Sequence, residues 1–121
     1  LFSENSLAIV DLETKQVVKV EVGTGPAQVY IGPDDKYAYV ANQGTEESPS
    51  NSMSIVDLET KTVVDEIRTG NGAHGVTVSS DGKFAYVTNM FDNTVSNIDL
   101  DSKQVETIDV GEIPNGITVM D

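Results

Sequence analysis

Apolar residues along this chain fall in short runs on consecutive positions. Leu7-Ala8-Ile9-Val10 and Phe84-Ala85-Tyr86-Val87 are continuous rather than alternating. A strand reads this way when both faces of its sheet are covered, whereas a sheet wetted on one side alternates. Polar, turn-forming residues separate the runs, and no helical period of any length appears. In the second half of the chain the pattern predicts strands near 75–79, 84–89, 94–99 and 104–109. Asp81-Gly82-Lys83 predicts a hairpin, because glycine supplies the positive φ that tight turns need. Asp34-Asp35-Lys36 takes the same place without the glycine, which predicts a longer or a type I turn. Asp101-Ser102-Lys103 and its copies mark the next hairpin.

The runs repeat in a fixed order. Ala8-Ile9-Val10-Asp11-Leu12-Glu13-Thr14-Lys15 is echoed by Ser54-Ile55-Val56-Asp57-Leu58-Glu59-Thr60-Lys61 and by Ser96-Asn97-Ile98-Asp99-Leu100-Asp101-Ser102-Lys103. The aspartates at 11, 57 and 99 stand 46 and then 42 residues apart. Tyr37-Ala38-Tyr39-Val40-Ala41-Asn42 returns as Phe84-Ala85-Tyr86-Val87-Thr88-Asn89. Gln28-Val29-Tyr30-Ile31 returns as Gly75-Val76-Thr77-Val78 and Gly116-Ile117-Thr118-Val119. Fixed-period self-similarity is the mark of repeat architectures. The chain reads as one segment, 1–121, with repeats over about 6–51, 52–93 and 94–121.

Four strands per period, each buried on both faces, fit four-stranded antiparallel sheets stacked around an axis. The predicted fold is therefore all-β: a β-propeller in partial ring form. In propellers of this kind the Gly-Val-x-Val run is the innermost strand; on that assignment residues 6–22 give the two outer strands of one blade, 26–67 and 73–110 two complete blades, and 114–120 one inner strand. That is about two complete blades plus parts of two others. Propellers close with about 4–8 blades. The expectation is a fragment whose remaining blades come from the same polypeptide, or a chain that closes a ring with copies of itself.

Tyr86-Val87-Thr88-Asn89, preceded by Ser80-Asp81-Gly82-Lys83 and followed by Val95-Ser96-Asn97-Ile98-Asp99, resembles the YVTN family of β-propeller repeats. Tyr39-Val40-Ala41-Asn42 is the same motif with one small substitution. The resemblance covers essentially the whole chain. It implies an extracellular, cell-surface or periplasmic setting, since similar repeats occur in surface-layer proteins and secreted or periplasmic propellers, typically seven-bladed. Propellers of nitrous oxide reductase and cytochrome d1 type are similar too. An activity is not implied, because propellers host many unrelated functions.

Composition narrows the functional classes. With 20 acidic and 7 basic residues the net charge is −13, and no Lys/Arg stripe offsets it, so nucleic acid is not an expected partner. There is no cysteine, which removes thiolate chemistry and Cys-held clusters or haem. No apolar run approaches the length of a membrane-spanning helix.

Candidate chemistry is sparse. His74, the one histidine, precedes an inner strand where side chains point toward the mouth of the central channel. Ala27 and Asn115 hold the equivalent positions. His74 and Asn115 are the candidate ligand-binding pair, against the reading of an ordinary turn position in the repeat. Asn42 and Asn89 line a binding face on one reading and bond the backbone of the adjoining turn on the other. Gln43 to Ser52 contains an insertion of about five residues, in which Glu46 and Glu47 are the candidate loop-interaction residues; the other reading is a tolerated surface loop. Tyr37, Tyr39, Phe84 and Tyr86 read as packing between blades. No motif for nucleophilic, phosphate, dinucleotide or metal chemistry occurs, so no catalytic residue, metal or cofactor is expected. The expected function is a non-catalytic scaffold that binds protein or glycan. The alternative is the accessory propeller of a periplasmic redox enzyme whose cofactor ligands lie elsewhere.

Overall fold

The computed structural model describes residues 6–10, 13–23, 25–44 and 49–110. Ten strands follow one another: β1 (Ser6–Val10), β2 (Val17–Glu21), β3 (Pro26–Ile31), β4 (Tyr37–Gly44), β5 (Pro49–Asp57), β6 (Thr62–Arg68), β7 (Ala73–Val78), β8 (Phe84–Asn89), β9 (Thr94–Asp99) and β10 (Val105–Asp109). They form three antiparallel sheets: β1-β2, β3-β4-β5-β6, and β7-β8-β9-β10. The two four-stranded sheets are the two complete blades that the repeat predicts, and β1-β2 supplies the two strands expected from residues 6–22. The inner strand expected at 114–120 lies outside the described residues.

The continuous apolar runs are explained by packing on both faces. Ala38, Val40 and Val56 of the first complete blade pack with Val20 of β2. Their chain neighbours Tyr39, Ala41 and Ile55 point the other way, into a second cluster with Val76, Val78, Ala85, Val87 and Ile98 of the next blade. Successive residues on a strand point to opposite faces, so each blade needs apolar residues at adjacent positions. Tyr37 packs against the second cluster while Tyr39 belongs to it. Phe84 and Tyr86, their equivalents, lie half-buried on the far face of the last described blade.

The turns resolve the difference between Asp34-Asp35-Lys36 and Asp81-Gly82-Lys83. Asp35 N donates to Gly32 O at 3.0 Å, and Gly82 N to Ser79 O at 2.9 Å. Asp35 has φ 60° and Gly82 φ 73°. Both are the same tight turn with a left-handed residue after it, so the missing glycine does not lengthen the turn; a short polar side chain tolerates that backbone. The repeated aspartates are turn anchors. Asp57 Oδ1 accepts from Glu59 N at 2.9 Å and Thr60 N at 3.1 Å, and Asp99 Oδ1 from Asp101 N at 3.0 Å and Ser102 N at 3.2 Å.

The insertion after Asn42 is partly absorbed into the sheet. β4 and β5 run longer than β8 and β9, and the ladder continues past a bulge to pair Gly44 with Pro49. Glu46 and Glu47 lie outside the described residues.

Candidate functional site

The blade end that carries His74 is set by a recurring bulge in the first strand. Ala73 pairs with Asn89 but Val76 with Val87, so β7 holds one residue more than β8 across this step. The same shift separates Pro26 and Gln28 in β3. An extra residue re-aims the side chains around it and leaves backbone groups unpaired. In β7 the Thr88 hydroxyl takes up that role, accepting from Gly75 N at 2.8 Å.

His74 sits in this bulge, inside β7 rather than ahead of it. Its Nδ1 lies 2.7 Å from Oε1 of Gln43, at the end of β4 in the preceding blade. A carboxamide oxygen only accepts, so Nδ1 carries the proton and donates. In the singly protonated ring this leaves the lone pair on Nε2, the arrangement in which histidine accepts from, or ligates, a further group. Gln43 is itself held by its backbone, its N–H donating to Gly25 O at 2.8 Å. Sequence reading found His74 but not Gln43, its partner across the blade seam. Asn115, the other candidate here, lies outside the described residues.

Asn42 and Asn89 do something other than either sequence reading. Each is fully buried and paired with the neighbouring strand, not with turn backbone. Asn42 Nδ2 donates to Ser52 Oγ at 3.0 Å and Ser54 Oγ at 2.9 Å. Asn89 Nδ2 donates to Thr94 Oγ1 at 3.0 Å and Ser96 Oγ at 2.9 Å. Because Asn42 faces Ser52 and Asn89 faces Thr94 in the ladders, one amide spans two hydroxyls on one strand face. The repetition of the motif is therefore the repetition of a buried polar clasp, and the same two residues do not line a binding face.

Near this clasp the linker between blades is pinned. Asn71 N donates to Asp92 Oδ2 at 2.8 Å, and Gly72 N to Ser50 O at 2.8 Å. The chemistry gathered at this blade end is thus the imidazole of His74 held by the Gln43 carboxamide, beside the Asn71–Asp92 pair of the linker. Among the described residues no three His, Asp or Glu side chains come together as a metal site.

Stacked four-stranded blades, with first strands β3 and β7 side by side, define this protein as a β-propeller segment. The family model of the YNCE-like β-propellers matches residues 46–121, and the chain belongs to that family. Among solved structures, hydrazine synthase of Kuenenia stuttgartiensis is similar at 30% identity and a TM-score of 0.82, over 95% of this chain and 33% of that one. The dihydro-heme d1 dehydrogenase NirN, in complex with DHE, shares 21% identity at a TM-score of 0.75, over 88% of this chain and 22% of its own. AztD of Citrobacter koseri shares 16% identity at a TM-score of 0.72, over 93% and 31% respectively. The latter two show the fold alone. This chain spans a third or less of the length of each. No curated protein matches it.

Proposed function

We propose that this chain is part of a non-catalytic β-propeller scaffold that works outside the cytoplasm and binds a protein or glycan at the blade end carrying His74. The duplication of its buried polar groups carries this reading. A catalytic centre needs a singular constellation, and the polar clasp at Asn42 occurs again at Asn89 with hydroxyl partners at the equivalent strand positions and at the same distances. Loops at a propeller's blade ends are free to vary, and the insertion falls within the segment from Gln43 to Ser52, where Gly44 and Pro49 close the β4–β5 ladder at this end. The setting outside the cytoplasm rests on the resemblance to secreted and periplasmic propellers. Among the described residues no helix is long and apolar enough to cross a membrane.

The test replaces residues 45–48 with a glycine-serine linker of equal length in the full-length protein. Gly44 and Pro49 stay, because they pair in the ladder. Binding to its cross-linked protein partner, or to a glycan array, is expected to fall at least about tenfold, equivalent to about 1.4 kcal/mol. Unchanged binding would remove this blade end from the account.

A second reading, an accessory propeller of a redox enzyme, is favoured by one observation. His74 is held by Gln43 in the tautomer that leaves Nε2 open, at the end of an inner strand. The 30% identity with a hydrazine synthase chain supports it. In that case a cofactor-bearing partner or blade would meet His74.

A further inference from the structure

The opposite blade end carries a cleft of about 310 Å³ between the two complete blades. One wall is apolar, with Ile55 and Val64 from the first blade and Leu100 from the second. Asp34, Asp65 and Asp101 line the rim together with a single cation, Lys103. Lys103 Nζ reaches Asp65 Oδ2 at 3.5 Å, across the seam. Asp34 uses one oxygen for the Lys36 N–H at 3.2 Å. The carboxylate of Asp101 has no partner among the described residues. After the one ion pair, two carboxylates remain unneutralised over an apolar wall.

Two features separate this cleft from a solvated acidic face. Tyr39 lines it and is only 6% exposed, yet its hydroxyl makes no hydrogen bond among the described residues. The ring is buried and the hydroxyl opens onto the cleft, so a polar ligand atom there meets a free donor and acceptor. The second feature is built by the strand. From Asp57 to Ile67 the chain is one residue longer than from Asp99 to Ile108 or from Asp11 to Val20. That residue forms a bulge: Val56 pairs with Val63, but Ile55 pairs with Asp65. Without it Ile55 would face Val64, as Ile9 faces Val18. The bulge brings Asp65 round to the cleft side, and Val64 lines the cleft as well.

We propose that this cleft binds a primary ammonium group carried on a short alkyl stem. Three hydrogens on such a nitrogen meet the carboxylates of Asp34 and Asp101 and the oxygen of Tyr39, while the stem lies along Ile55, Val64 and Leu100. The charge of the rim turns anions away, and the apolar wall favours an alkylammonium over a metal ion. A free amine and a lysine side chain of another protein present the same chemistry.

The experiment is calorimetric titration of the full-length protein with n-butylammonium, with n-butanol as the uncharged control and N-acetyl-lysine methylamide as the peptide-borne ammonium. Saturable binding of butylammonium and none of butanol is expected. Asp101→Asn and Asp34→Asn should each weaken it by about three- to tenfold. Lys103→Met should tighten it, since it removes a like charge and frees Asp65; a site for anions or sugars would be weakened by the same change. Tyr39→Phe, which deletes one oxygen from an intact core, should weaken it by about threefold or more. A tighter fit for the lysine derivative assigns the site to a protein lysine, and equal or weaker binding assigns it to a free amine. No saturable binding by wild type, or loss of binding in Lys103→Met, overturns the proposal.

Discussion

Gly70 lies directly against the amide of Asn89: a Cβ at residue 70 would stand 2.8 Å from both Cγ and Nδ2 of that side chain. Gly23 bears the same relation to Asn42, where the distance to Nδ2 would be 2.5 Å. The strand linker crosses over the buried clasp in both blades, and only glycine lets it pass. Gly70→Ala should therefore destabilise the full-length protein by about 1–3 kcal/mol, the usual range for overpacking a rigid interior. Denaturant unfolding measures it, and an unchanged midpoint would mean the clasp can move aside.

Removing the clasp itself should be at least as harmful. Asn89→Leu leaves the hydroxyls of Thr94 and Ser96 without their donor in a buried setting. A loss of about 2–3 kcal/mol is expected from the stranded polar groups alone. Replacing Thr94 with valine and Ser96 with alanine in the same chain should restore much of it, and a mutant cycle between Asn89 and the hydroxyl pair reads the coupling.

The backbone stores strain at Lys61, which has φ 59° at the close of the β5–β6 hairpin. Left-handed backbone costs a side-chain-bearing residue about 1–2 kcal/mol, of which glycine's greater unfolded-state freedom takes back part. Lys61→Gly should raise stability by about 0.5–1 kcal/mol. Lys103, at φ 65° in the next hairpin, also holds Asp65, so the same change there should gain less.

Much of this architecture was legible in the sequence, for a reason that particular residues make clear. Consecutive apolar pairs such as Ala38-Tyr39 and Ala85-Tyr86 announce sheets covered on both faces, and three signatures in fixed order place the strands of both complete blades. The partnerships were not legible. Gln43 meets His74 only because two blades stack and a bulge turns the imidazole toward the seam. Asn42 and Asn89 were visible as a motif, but their hydroxyl partners depend on register. The extra residue before Ile67 can be counted in the sequence; that it swings Asp65 into a cleft with residues from the next blade follows only from the pairing.

Two groups should give the stability curve its separate acid and alkaline limbs. Asp81 accepts from the Ser79 hydroxyl at 2.6 Å and from Lys83 N at 3.0 Å, and these bonds hold its carboxyl below the ordinary range. A carboxylate lowered on folding contributes stability above its unfolded value, and that contribution is lost as pH falls through the folded one. Asp81→Asn should flatten the acid limb only. Burial raises the Tyr39 phenol, with Asp34 and then Tyr37 adding to it. Its contribution is present below the ordinary phenol value of about 10 and is lost as pH rises beyond it. Tyr39→Phe should flatten the alkaline limb only. Unfolding followed across pH, for each variant against wild type, distinguishes the two.

The scaffold reading is tested most directly by the visible absorption spectrum and metal content of the full-length protein, purified as produced in its native host, beside its His74→Ala variant. A featureless spectrum, no stoichiometric metal and no difference between the two proteins are expected. A visible chromophore or a bound metal that His74→Ala removes would contradict it, and would make the imidazole held by Gln43 a cofactor ligand.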